Sequence, residues 1–258
     1  MTVLANSSDT GGTEFTGAEF DEGYPSGYEL HYWNCARSAI VRDYVASCSG
    51  KGDTVLEIGS SRGHYVRVLR AAGFDAYGCD LGDAPVYEDV QDFVFPKTDF
   101  ADLDPGLRQR VTAVVLLDVI EHIERPADFL SSIAEALPAL RSFIIAVPAR
   151  RELWSNYDEH WRHFLRYDIH GLREVARDSL LRMDSWSYFF HALYVPAWLL
   201  KTMGLKRATA FPAPKGNYWL HRWLGYMFWL ESRWLPKWLF GTSLICVCTL
   251  QRRSGSSA

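Results

Sequence analysis

Short apolar runs alternating with helical patterns constrain this chain more than any other feature. Thr54–Ile58, Ala76–Asp80, Ala113–Asp118 and Ser142–Val147 read as strands, with helices at Tyr65–Ala72 and Pro126–Leu137 between them. Strands of nearly unbroken apolar character have no polar side to turn to water, so they must be covered on both faces, and helix-length connections join parallel neighbours. Phe93–Phe95 is a candidate short strand, Asp168–Arg177 a further helix, and Met183–Phe190 and Ser243–Leu250 two more strands. The expected architecture is α/β: a doubly wound, mostly parallel seven-stranded sheet with helices on both faces.

At 258 residues and 48% hydrophobic the chain can bury the core of one elaborated domain. Residues 1–23, rich in Ser, Thr, Gly and acids without apolar periodicity, read as a disordered tail, residues 24–250 as the domain, and 251–258 as a flexible C-terminal tail. An amphipathic helix is expected over Tyr28–Cys48. The formal charge of -4 gives no basic footprint for a polyanion, so no nucleic acid is expected as partner. Five scattered cysteines make no disulfide framework and no basic, apolar leader precedes the domain, which points to the cytoplasm. Cys246 and Cys248 fall on one side of a strand, where packing is their expected role.

The segment Val55-Leu-Glu-Ile-Gly-Ser-Ser-Arg-Gly63 puts an acid at the end of a buried strand and glycines in the turn that opens a helix. Such a turn lets backbone approach a ligand closely and aims helix N-terminal amides at it. Asp80, at the end of the next strand, can accept hydrogen bonds from both hydroxyls of a ribose. A dinucleotide fold asks for G-x-G-x-x-G, but Ser61 and His64 take the second and third of those places, and the Glu57 carboxylate would repel a pyrophosphate. A phosphate-free cofactor with an ammonium end suits this loop better.

Glu57-x-Gly59-x-Ser61-x-Gly63, Asp80 and Val115-Leu-Leu-Asp-Val-Ile-Glu-His122 together resemble the conserved blocks of class I S-adenosylmethionine-dependent methyltransferases, departing at Ser61, where glycine is usual. The resemblance covers residues 28–190. It implies a Rossmann-like fold and S-adenosyl-L-methionine as cofactor, with Glu57, Gly59 and Gly63 lining the methionine moiety and Ser60 and Ser61 in the same loop. It also implies Asp80 and Leu81 at the ribose, and Asp118 with Val119 at the strand tip beside the sulfonium. Asp99–Phe100 would flank the adenine.

Trp154–Tyr167 follows a strand whose C-terminal end shares a rim with Gly59 and Asp118, so it is expected to border the methyl acceptor. It is similar to a block of a bacterial methyltransferase subgroup through Asp158, His163, Arg166 and Tyr167, with Arg162 in place of a glycine and Leu165 in place of an arginine. Methyl transfer mainly needs the acceptor atom held about 3–3.5 Å from the methyl carbon. A hydroxyl acceptor also needs a base, for which His163 is the first choice and His160 the alternate, with Asp158 and Arg166 completing the candidate catalytic group. The competing reading is that His163 and Arg166 pair with Asp158 or Glu159 simply to fix the loop. A metal on Asp158, His160 and His163 is not expected, since their spacing matches no established ligand motif. His122 reads as structural, tying its loop together.

Residues 191–241 hold six of the ten tryptophans, interrupted by Pro196, Pro212, Pro214 and Pro236. The segment is too long and too apolar for a plain connection and is expected to form a helical insertion, a lid, before the last strand. The run Trp186–Leu200 that leads into it falls short of the about 20 residues that span a bilayer. Tryptophans mixed with Arg222, Glu231, Arg233 and Lys237 suit a cap over a greasy pocket, a surface that dips into lipid headgroups, or ordinary packing. The same subgroup, similar here through Glu231 and Gly241-Thr-Ser-Leu244, carries such an insertion. The expected function is methyl transfer to a small, lipophilic or lipid-linked acceptor, with peripheral membrane contact through 191–241 as an option. The competing functions are a non-catalytic cofactor-binding module that docks on a membrane or protein, and an NAD-dependent oxidoreductase, which the glycine pattern disfavours.

Overall fold

The computed structural model describes residues 17–50 and 52–251. In chain order the elements are α1 (Gly17–Gly23), α2 (Tyr32–Cys48), β1 (Thr54–Ile58), α3 (His64–Ala71), β2 (Asp75–Cys79), β3 (Val94–Phe95), α4 (Pro105–Arg108) and β4 (Val111–Leu117). Then follow α5 (Pro126–Ala136), β5 (Ser142–Pro148), α6 (Asn156–His160), α7 (Ile169–Asp178), β6 (Leu181–Phe189), α8 (Tyr194–Thr202), α9 (Tyr218–Trp234) and β7 (Ser243–Leu250).

The apolar runs behave as their composition demands. Every residue of β1 is buried, as are nearly all of β4 and β5, and side chains alternate between two cores. Leu56, Leu116 and Phe143 meet Leu130 and Ile133 of α5 on one face. Val55, Val115 and Ile144 meet Ile40 and Val41 of α2 and Val66 and Leu69 of α3 on the other. Cys246 and Cys248 pack in the first core with their Sγ atoms 3.7 Å apart.

The seven strands run β3-β2-β1-β4-β5-β7-β6, and β7 alone is reversed against its neighbours. From the central pair β1 and β4 the chain winds outward in opposite directions, so the loops that leave their C-terminal ends diverge and open a crevice between them. That crevice begins at Gly59 on one side and Asp118 on the other.

Residues 191–241 are a helical insertion, as expected, and α9 is bolted to α2. A Cβ on Gly225 would stand 2.6 Å from Cys35 Cβ and 3.0 Å from the Tyr32 carbonyl, so only glycine lets the two helices approach this closely. Trp229 Nε1 and Arg233 Nη1 both donate to Asp43 Oδ2, at 2.8 and 2.9 Å. His221 Nδ1 accepts from the amide of Tyr32 at 3.2 Å, satisfying one of the donors that a helix start leaves open.

Two boundaries differ from expectation by more than two residues. Residues 17–23 of the expected tail form α1, whose Glu19 and Glu22 pair with Arg162 and His160 of α6 and its loop; residues 1–16 and 252–258 lie outside the described residues. The helix expected from Tyr28 begins at Tyr32, because His31 is extended and its ring caps the amide of Trp33, while Tyr28–Leu30 form a separate 3₁₀ turn.

Candidate active site

The turn between β1 and α3 is shaped by its small residues. Gly59 and Gly63 have φ of 79° and 83°, and a Cβ on either would lie 2.8 Å from Val119 or 2.7 Å from Val94. Ser61 also takes a left-handed conformation, φ 48°, which accounts for the glycine usual at this position in related blocks. Its amide donates to Asp80 Oδ2 at 2.7 Å and that of Gly82 to Oδ1 at 2.8 Å, so Asp80 clamps the turn onto the tip of β2. Each of these oxygens keeps a second lone pair for a ligand. Burial raises the Asp80 pKa, and the two amides pull it back.

Beside this turn lies a cavity of about 470 Å³, lined by Glu57, Gly59, Ser60, Ser61 and Asp118 among the residues singled out for the cofactor. A volume of this size falls among small-molecule sites, about 300–1,000 Å³. Gly63, Asp80, Leu81 and Val119 do not line it. Gly63 and Val119 lie behind the turn, and Asp80 with Leu81 forms the neighbouring strand tip. Asp99 and Phe100 are not at the cavity either: Asp99 caps a 3₁₀ turn and Phe100 packs in the core against Phe129.

One wall is polar without being satisfied. Glu57 Oε2, Ser60 Oγ, Ser61 Oγ and Arg37 Nε are buried and lack hydrogen-bond partners. Buried polar groups are normally paired, so a wall carrying four such atoms fits a polar ligand that supplies the partners. Burial, then Asp80, pushes the Glu57 carboxyl well up. Arg37 rises from the apolar face of α2, lies 4.8 Å from the centre of the Trp33 ring, and donates to Asp118 Oδ2 at 2.5 Å. Burial works against its charge, but Asp118 and Tyr65 more than restore it. Asp118 itself sits at φ 55°, which turns its carboxylate toward Arg37.

The opposite rim is built around Asp158, which is fully buried. Its Oδ1 accepts from Arg166 Nε at 2.7 Å and pairs with His163 Nδ1 at 3.0 Å, and its Oδ2 accepts from the Ser155 amide at 2.9 Å. Burial would raise its pKa, but His163 and Arg166 hold the carboxyl well below the usual range. The pairing weighed as a structural alternative is therefore present, centred on Asp158 rather than Glu159. It does not remove His163 from the cavity, because the ring still lines it, as does Arg166.

His160, the alternate base, is not at the cavity. Its Nε2 reaches Glu22 Oε1 at 3.2 Å on the outer side. The cause is local: α6 ends at His160 and Arg162 takes φ 56°, so the chain reverses before His163. This left-handed position is the one that holds glycine in the related block; here the arginine adopts it and its guanidinium reaches Glu19 Oε1 at 2.6 Å. Asp158, His160 and His163 thus do not converge, whereas Glu121, His122 and His163 do, their donor atoms lying within 4.8 Å of one another. The link is the amide of Phe164, which donates to the Glu121 carbonyl at 2.7 Å and pins the two loops together. Burial, then His163, lowers the His122 pKa to about 4, so its ring is neutral at physiological pH. Burial and then Asp118 push Glu121 well up.

Sequence reasoning missed Tyr24, Arg37, Tyr157 and Arg207, all of which line the cavity. Arg37 had a signal: a lone cation between Ala36 and Ile40 on an otherwise apolar helix face.

The sequence profile of the methyltransferase-domain family matches residues 32–185. The chain belongs to this family and is a class I S-adenosylmethionine-dependent methyltransferase. Among solved structures it is similar to a methyltransferase of Haloferax volcanii in complex with the activator Trm112, at 22% identity over 93% of this chain and 100% of that one, TM-score 0.57. It is also similar to a SAM-dependent methyltransferase from Archaeoglobus fulgidus, at 17% identity over 89% of this chain and 97% of that one, TM-score 0.51. A third is geranyl diphosphate methyltransferase in complex with GPP and sinefungin, at 15% identity over 84% of this chain and 77% of that one, TM-score 0.51. No protein with a curated description matches the sequence.

Proposed function

We propose that this methyltransferase acts on a small lipophilic acceptor, seated between the β1 turn and the aromatic insertion with its reacting atom beneath His163. The observation that carries this reading is the two-sided cavity. Its inner wall is the unsatisfied polar surface of Glu57, Ser60, Ser61 and Arg37, and its outer wall is apolar, supplied by Leu193, Pro196, Ala197, Leu200 and Phe211 of the insertion and the stretch that follows α8. A fold neighbour that methylates geranyl diphosphate gives a precedent for such a substrate.

In this reading Glu57 holds the ammonium of the cofactor and Arg37 its carboxylate, the turn of Ser60 and Ser61 lies against the methionine chain, and Asp80 takes the ribose. Bound, S-adenosylmethionine supplies an electrophilic methyl group and leaves as the neutral thioether. His163 is oriented by Asp158, as an imidazole is when one ring nitrogen is tied to a carboxylate, and faces the hydroxyl whose proton must go. Changing His163 to alanine is expected to lower turnover at least tenfold while the dissociation constant for S-adenosylhomocysteine stays within twofold. Unchanged turnover with any hydroxyl acceptor would remove His163 from the reaction.

A second observation supports a lipid surface as the source of the acceptor. Trp219, Trp223, Trp234 and Trp238 are 72%, 54%, 80% and 68% exposed, interleaved with Arg222, Arg233 and Lys237. Tryptophan beside cations is the composition of an interfacial anchor. No helix among the described residues is long and apolar enough to cross a membrane. Vesicles rich in anionic phospholipid should float the protein, and serine at Trp219 and Trp234 together should abolish flotation; a protein that stays at the bottom of the gradient excludes the anchor.

A further inference from the structure

We propose that Glu121, His122 and His163 bind one divalent first-row metal ion at the acceptor end of the cavity, and that the acceptor is accordingly a molecule presenting a hydroxyl oxygen to that ion. The description of the acceptor rests on the function proposed above; the ion site does not.

Four observations converge on it. One carboxylate and two imidazoles, from two loops far apart in the chain, bring their donor atoms within 4.8 Å of one another. The Glu121 side chain is fully buried, and neither of its carboxylate oxygens has a hydrogen-bond partner. An isolated buried carboxylate is among the costliest groups a fold can carry. Protonating it would remove the charge but leave an O–H with no acceptor, whereas a cation on the two imidazoles satisfies both oxygens at once.

The third observation is the orientation of the imidazoles. His163 is tied to Asp158 through Nδ1, and the Arg162 carbonyl accepts a hydrogen bond from the His122 ring. Ligating histidines almost always have their other ring nitrogen fixed by a carboxylate or a backbone carbonyl, and both forms occur here. Fourth, His122 and His163 both line the cavity, so the open side of the site faces the bound molecule. Two histidines and a glutamate match a catalytic site of the kind that keeps positions free for water or substrate. An ion there would orient an acceptor oxygen and lower the pKa of its hydroxyl; with the ion bound, His163 holds the metal instead of taking the proton itself, and the proton passes to solvent.

The test uses the full chain without cofactor or acceptor, stripped by chelator and titrated with Co²⁺, read by calorimetry and by the visible absorption of the bound ion. One Co²⁺ per chain is expected, displaced by Zn²⁺. Glu121→Gln, which relieves a buried charge and so keeps the fold, and His163→Gln should each weaken binding at least tenfold while S-adenosylhomocysteine still binds. No uptake by the unaltered protein, or equal uptake by Glu121→Gln, overturns the site. Because the ion is detected without turnover, a failure to methylate hydroxyl compounds counts against the acceptor alone.

Discussion

Replacing Asp158 with alanine is expected to cost the fold about 3–5 kcal/mol, seen as a lower denaturation midpoint at pH 7, because Arg166 would stay buried without its counter-charge. Arg166 is 4% exposed, and its guanidinium otherwise donates to the Ala149 carbonyl. The same carboxylate predicts a pH dependence. Its folded pKa lies below the ordinary 3.8, so the native state binds fewer protons than the unfolded one through this range. Its stabilisation is complete above that ordinary value and is lost as the pH falls below it. The variant should therefore lose less stability than the parent on acidification through this window. A variant as stable as the parent would show that the Asp158 network is not holding the loop.

Glu57→Gln is expected to move two measurements in opposite directions. S-adenosylhomocysteine affinity should fall roughly ten- to a hundredfold, the worth of about 1.5–3 kcal/mol for a hydrogen bond between charged groups. The free protein should melt higher. Burial raises the folded pKa of Glu57 above its ordinary 4.5, so the native state binds more protons, and stability drains away as the pH rises above that value. The advantage of glutamine should thus appear above pH 4.5 and vanish below it. A variant that binds the cofactor product as the parent does would remove Glu57 from the pocket.

The sheet was legible because parallel strands buried on both faces leave unbroken apolar runs, and β1, β5 and β7 fall within a residue of where those runs begin and end. The turn at Gly59 and Gly63 was legible for a similar reason: backbone that must adopt positive φ against Val119 and Val94 leaves a mark in residue type. The outer half of the site left no such mark. α1 is too short to show periodicity and depends on Glu19 and Glu22 meeting Arg162 and His160. His160 and His163 look equivalent in sequence, and only the left-handed residue between them sends the two rings to opposite sides. The meeting of His122 with His163 depends on hydrogen bonds between loops, from the Phe164 amide to the Glu121 carbonyl and from the Tyr167 hydroxyl to the Ile120 carbonyl, which no local pattern announces.

One helix serves two masters. The face of α2 that receives Gly225 and Trp229 belongs to the same rod that carries Arg37 to the tip of β4. The insertion is therefore not a detachable module: transplanting residues 191–241 onto another scaffold would require moving the helix beneath them, and with it the arginine that braces the tip of β4.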